Sequence, residues 1–302
     1  MSNINSIVDK YNIRINRYEE KNKIKIIDTD KGKYILKEKK KDNDLYKYLS
    51  NKQFNYFLEH EDLDNYNIFP YVEEEKIPNQ EKGIDLVYII SILHNKTLYY
   101  REVVLDDIKK QYENLNEKID DINKYYFQKQ DIIEQKEYMS PEEYLLIRNV
   151  SLIYSSLTFA KNKLKEWYEY KIKQKKERIV LLHNKPCIEH LLIDDKKRLI
   201  SWDEYRRDIP IYDFLYFYKK NYQELEMSSL FNIYQSKFSY TKDEYLLFLV
   251  FIALPEKIEF TKHHYNDTKE VYNMIRYLDL TREFISKDNK EYETKDENEF
   301  KE

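Results

Sequence analysis

Residues capable of chemistry concentrate in one stretch of the chain. It reads His183-Asn-Lys-Pro-Cys-Ile-Glu-His190-Leu-Leu-Ile-Asp194-Asp195, then Leu199-Ile-Ser-Trp-Asp-Glu-Tyr-Arg-Arg-Asp-Ile-Pro-Ile-Tyr-Asp213. His183, Glu189, His190, Asp194 and Asp195 are metal-ligating types, but their spacing fits no standard zinc or calcium pattern, so they read as a solvated loop. Cys187 has no histidine at a recognised catalytic spacing and reads as a small, semi-buried thiol. Arg206, Asp208 and Asp213 suit structural ion-pair or capping roles that hold their part of the chain together. Outside the stretch, Lys37 reads as a strand lysine exposed to water. His94 and Thr97 suit helix capping and hydrogen bonding to nearby backbone.

The elements that must position these residues change character along the chain. Ile13 to Tyr18, Lys23 to Thr29 and Lys33 to Lys37 are strand-like, with a turn at Asp28-Thr-Asp-Lys-Gly32. A helix is predicted from about Asp42 to Leu58. Asn67 to Val72 follows as an edge strand or connector, because Pro70 cannot donate to a ladder. From Glu81 onward the pattern is helical. Ile84, Val87, Ile90 and Leu93 line one face of a helix that His94 closes, and Ile108, Tyr112, Leu115, Ile119, Ile122, Tyr126 and Ile133 line another. Ser140-Pro-Glu-Glu143 forms a capping box ahead of Leu146, Val150, Ile153, Leu157, Ala160, Leu164 and Trp167, so two long helices pair antiparallel.

The His183 to Asp195 part of the stretch lies between short strand-like segments at Arg178 to Leu182 and Arg198 to Trp202. Helices then run near Ile211 to Tyr222, Glu224 to Phe238, Glu244 to Ala253 (capped by Thr241) and Lys269 to Ile285. The expected organisation is a small β-rich lobe over 1–72, a large mainly helical lobe over 73–285 and a charged, disordered tail over 286–302. The class is α+β.

Composition removes several functions. The 302 residues carry 52 Lys and Arg against 56 Asp and Glu, a formal charge of -4 that favours neither a polyanion nor nucleic acid. Only two glycines occur, which excludes a glycine-rich phosphate loop. No apolar run reaches the roughly 18 to 20 residues needed to span a bilayer, and Met1-Ser-Asn-Ile-Asn lacks a signal-peptide pattern. A single cysteine implies a reducing environment and no internal disulfide. The 31 Tyr and 14 Phe predict an aromatic core whose hydroxyls must reach polar partners or the surface.

The stretch resembles the catalytic segment of the aminoglycoside phosphotransferase and choline kinase superfamily. Within it, the segment is most similar to the CotS-type spore-coat proteins, with Ile200, Trp202, Asp203, Arg206, Asp208, Pro210, Ile211 and Asp213 matching without a gap. Ile92-Leu-His-Asn-Lys-Thr97 is similar to the family's Leu-His-x-x-Thr signature, and Lys33-Tyr-Ile-Leu-Lys37 to the strand bearing its nucleotide-binding lysine. The resemblance runs from about residue 13 to 285 and implies a two-lobed, protein-kinase-like fold.

It also implies lost chemistry. Phosphoryl transfer is mainly positioning and electrostatics, with one carboxylate orienting the acceptor hydroxyl and an amide and a second carboxylate holding Mg2+. Lys185 stands where the family's His-Gly-Asp loop has its Asp, His190 where the Asn five residues later belongs, and Ser201 at the metal-binding Asp. An ammonium cannot accept the proton, and a neutral imidazole poorly suits a hard cation. The segment Leu45 to Leu58 offers no acidic partner for Lys37. The resemblance therefore implies a pseudokinase needing no cofactor, cytoplasmic or in the spore coat, with other coat proteins as partners. Two alternatives stand beside it: an active small-molecule kinase using ATP and Mg2+, with Asp203 as metal ligand assisted by Glu189 or Asp194, and a pseudokinase that binds nucleotide without turnover.

Overall fold

A computed structural model describes residues 15–21, 24–38, 44–63, 66–261 and 263–299, with side chains as far as Lys287. The expected strand-like residues at 13, 14 and 23, and the start of the helix expected at 42, lie outside these residues. The first strands are β1 (Ile15–Lys21), β2 (Ile24–Thr29) and β3 (Gly32–Glu38). At the β2–β3 turn, Gly32 has φ 128, a conformation open to glycine, and the Thr29 hydroxyl donates to the Gly32 carbonyl at 2.8 Å. β4 (Glu61–Leu63) and β5 (Tyr66–Pro70) complete an antiparallel sheet ordered β1-β2-β3-β5-β4. β5 is thus an interior strand and not the expected edge or connector. Pro70 is its last residue, opposite Tyr34, and the ladder goes on past it when Tyr71 N–H donates to the Lys33 carbonyl.

The helix expected to reach Leu58 ends earlier, as α1 (Asp44–Asn51). Gln53 turns the chain at φ 57, and the residues after it pair with the large lobe instead. Leu199 N–H donates to the Tyr56 carbonyl at 2.8 Å, and Phe54 is fully buried with its ring edge-on to Trp202. Tertiary packing overrides local helix preference here.

The large lobe begins with α2 (Asn79–Thr97) and a short strand, β6 (Tyr99–Glu102), for which the sequence pattern gave no sign. α3 (Leu105–Glu134) packs against α5 (Val150–Lys171), the expected antiparallel pair, with α4 (Pro141–Arg148) before α5. The Ser140/Glu143 capping box starts α4 as predicted. Next come β7 (Lys176–Leu182), the hairpin β8 (Leu191–Ile193) and β9 (Lys197–Leu199), and β10 (Arg206–Asp208). The expected second strand stops at Leu199, because Ser201 is left-handed and Trp202–Glu204 forms a 3-10 turn.

Four helices close the chain: α6 (Ile211–Asn221), α7 (Met227–Lys237), α8 (Lys242–Ala253) and α9 (His264–Glu299). α9 continues past Ser286, where composition predicts disorder; the Lys and Glu that make this stretch polar are also good helix formers. Phe214, Phe217, Phe231, Tyr234 and Phe248 fill the core, and Tyr218 meets Thr281 by hydroxyl at 2.9 Å, as an aromatic interior requires. No helix among the described residues is long and apolar enough to cross a membrane.

Candidate functional site

The loop from His183 to His190 leaves the end of β7 and enters β8. Its anchor is Asp213 on α6, a fully buried carboxylate. Asp213 accepts from His183 N–H at 2.9 Å, Asn184 N–H at 2.6 Å and the Nε2 of His94 on α2 at 3.0 Å. The Nδ1 of His94 meets the Tyr234 hydroxyl at 2.7 Å, so α2, α6, α7 and the loop share one buried network. Thr97 ties α2 to β7: its hydroxyl donates to the Leu93 carbonyl at 2.7 Å and accepts Leu181 N–H at 3.0 Å. Thr97 thus bonds to nearby backbone, whereas His94, expected to cap its helix and bond to backbone, meets the side chains of Asp213 and Tyr234. Arg206 and Asp208 form an ion pair at 3.3 Å, and the Arg206 guanidinium lies over Tyr212.

Two loop residues hold backbone conformations costly for most side chains. Asn184 has φ 71 and Ser201 φ 65, both left-handed. His183 is locked beside them. Its Nε2 donates to the Ile200 carbonyl at 2.8 Å, its ring meets Trp202 edge-on, and burial lowers its pKa, leaving the imidazole neutral. Among the described residues its Nδ1 has no hydrogen-bond partner.

Lys37 crosses between the lobes. Its Nζ lies 2.5 Å from the Oδ2 of Asp203, so its acidic partner comes from the large lobe and not from α1. Lys185 points to the next residue of the same turn, with 3.7 Å between its Nζ and Glu204 Oε1. Glu189 binds Lys220 at 2.9 Å, and Asp194 binds Arg198 at 2.5 Å. That Arg198 pairing, helped by Lys196 N–H, lowers the Asp194 pKa to about 2. Asp203, Glu189 and Asp194 therefore face three different cations. Among the described residues no three His, Cys, Asp or Glu side chains converge as a metal site.

One grouping escaped the sequence reading. Cys187 is buried, with its Sγ 3.8 Å from the Tyr216 hydroxyl. Burial raises the thiol pKa, but hydrogen bonding with His190 and Lys220 outweighs it and the net shift is downward. His190, whose Nδ1 donates to the Lys185 carbonyl at 2.8 Å, is shifted upward, chiefly by Cys187. The Cys-x-x-His spacing on a one-turn 3-10 segment, Ile188–His190, was the only signal available.

No family model matches the sequence, and no curated protein matches it. Solved structures do match the fold. The aminoglycoside phosphotransferase from Alicyclobacillus acidocaldarius is similar over 96% of both chains, with a TM-score of 0.67 at 12% identity. AMP-bound spectinomycin phosphotransferase is similar over 92% of this chain and 97% of its own, with a TM-score of 0.51 at 12% identity. The chain therefore has the two-lobed, kinase-like fold of the aminoglycoside phosphotransferases, an antiparallel sheet lobe joined to a helical lobe.

Proposed function

We propose that the chain is a pseudokinase: a phosphotransferase fold that has lost phosphoryl transfer and acts through its surfaces as a binding or structural protein. The observation that carries this reading is the pairing of the three candidate metal-binding carboxylates with cations, Asp203 with Lys37, Glu189 with Lys220 and Asp194 with Arg198. Mg2+ needs converging oxygen ligands, and phosphoryl transfer needs a carboxylate to accept the acceptor proton. Lys185 at the loop supplies a cation where that carboxylate belongs. The backbone supports the alignment behind this statement. Asn184 falls on the glycine of His-Gly-Asp and is left-handed, the conformation a glycine there would favour, and asparagine tolerates it best among the other residues.

The resemblance of Ile200 to Asp213 to CotS-type proteins supports a place in the spore coat, among other coat proteins. Exposed tyrosines such as Tyr100, Tyr138, Tyr144 and Tyr265 suit such contacts. The test is ADP release from Mg2+-ATP by purified protein, with thermal shift at millimolar ATP alongside. Neither turnover nor stabilisation is expected. Turnover abolished by Asp203→Ala would overturn the proposal, and stabilisation without turnover would favour a nucleotide-binding pseudokinase.

A further inference from the structure

Lys37 and Lys185 come from different lobes yet end on neighbouring carboxylates of one turn, Trp202–Glu204. That turn is firmly held. Trp202 is buried between His183 and Phe54, its indole N–H donates to the Leu199 carbonyl at 2.9 Å, and the left-handed Ser201 sets the direction in which the turn departs. Asp203 and Glu204 are thus presented by rigid backbone, while the lysines reach them on flexible stems.

We propose that Asp203 and Glu204 act as a built-in anion, occupying the two ammonium groups that would otherwise hold a polyanionic ligand between the lobes. The contact is autoinhibitory and rests on the pseudokinase reading of the cleft. Without a metal-binding set, an anion entering here must be held by the lysines directly. The four side chains sum to zero charge, so together they offer such a ligand little net attraction.

The two halves of the contact are unequal. The Lys37 and Asp203 side chains are 23% and 26% exposed, whereas Lys185 and Glu204 are 48% and 50% exposed at the longer distance of 3.7 Å. Solvent screens the second pair more strongly. Asp203 therefore does most of the masking, and Glu204 adds to it. Removing the carboxylates while keeping the lysines unmasks a metal-independent site for phosphate-rich anions.

The experiment is calorimetric titration with inorganic tripolyphosphate at low ionic strength and without divalent cations. It compares the wild-type chain, Asp203→Asn, and Asp203→Asn with Glu204→Gln. The double variant is expected to bind at least tenfold tighter than wild type, the single variant to show most of that gain, and Lys37→Met in the double background to lose it. Affinities within twofold of wild type for both variants would overturn the inference, as would a gain that survives Lys37→Met. Ligand-free melting and near-ultraviolet dichroism verify the fold, with Asp203→Ser as replacement should the amide variant fail to fold. ADP release by the wild-type chain tests the pseudokinase reading separately.

Discussion

Asp213 is the residue on which the loop depends most. It holds two successive backbone N–H groups and His94 in a site closed to water. Asp213→Ala leaves three buried donors without an acceptor, at about 1–3 kcal/mol each and not additively. A loss of about 3–5 kcal/mol in urea unfolding at neutral pH is expected, with Asp213→Asn intermediate because its amide keeps one acceptor oxygen. A loss below about 1 kcal/mol would contradict the anchoring role. Asp213 could be read from the sequence because it closes an unbroken matched segment. The partner of Lys37 could not, since Asp203 lies 166 residues away and nothing local to α1 suggests it. Cys187 and His190 are close in sequence, but the influence of Lys220 and Tyr216 on the thiol requires α6 to be packed beside the loop.

Among the elements, α5 ends, α8 begins and β7 starts at one buried ionic junction. Lys171 on α5 lies 2.8 Å from Asp243 in the first turn of α8 and 3.2 Å from Glu177 on β7. Burial raises the Asp243 pKa, but the Lys171 charge together with hydrogen bonds from Lys171, Thr241 and Gln174 outweighs it and the net shift is downward. A depressed carboxylate contributes stability above its unfolded pKa, about 3.9, and loses it as pH falls through the lower native value. Lys171→Met takes the cation away from the buried Asp243 carboxylate, while Glu177 keeps its Arg101 partner, and is expected to cost about 3–5 kcal/mol at pH 7. The gap from wild type should narrow below about pH 4 as the Asp243 carboxylate takes up a proton. A gap that stayed constant across a urea-unfolding pH series would rule out this electrostatic origin. Sequence patterning found α3, α5 and the capped starts of α4 and α8, because periodicity and capping boxes are local. It overran α1 because Phe54 looks helical until the large lobe is present to bury it.

At the scale of the whole molecule, the two lobes do not share one core. Ile27, Leu36, Tyr66 and Ile68 form a small cluster under the sheet, while Leu45, Leu49 and Phe54 of the α1 region belong to the large cluster with α2, α6 and α8. The mechanical boundary among the described residues therefore falls between the sheet and α1. Across it runs the Lys37–Asp203 pair. A small core sustains a low local opening energy, so the sheet should open before the molecule unfolds. Native-state amide exchange tests this with one substitution in each core, each costing about 2–5 kcal/mol. Leu36→Ala should speed exchange in β2, β3 and β5 and also in α8 and β7, because the native state it weakens is the start of both openings. Leu247→Ala, in the larger core, should lower protection throughout α8 and β7, where exchange requires global unfolding, and leave β2, β3 and β5 unchanged, because the sheet opens with that core still packed. Equal acceleration of both lobes by Leu247→Ala would mean that the molecule opens as a single unit. In that case the contacts between the lobes, and not the size of the small core, would set the stability of the sheet.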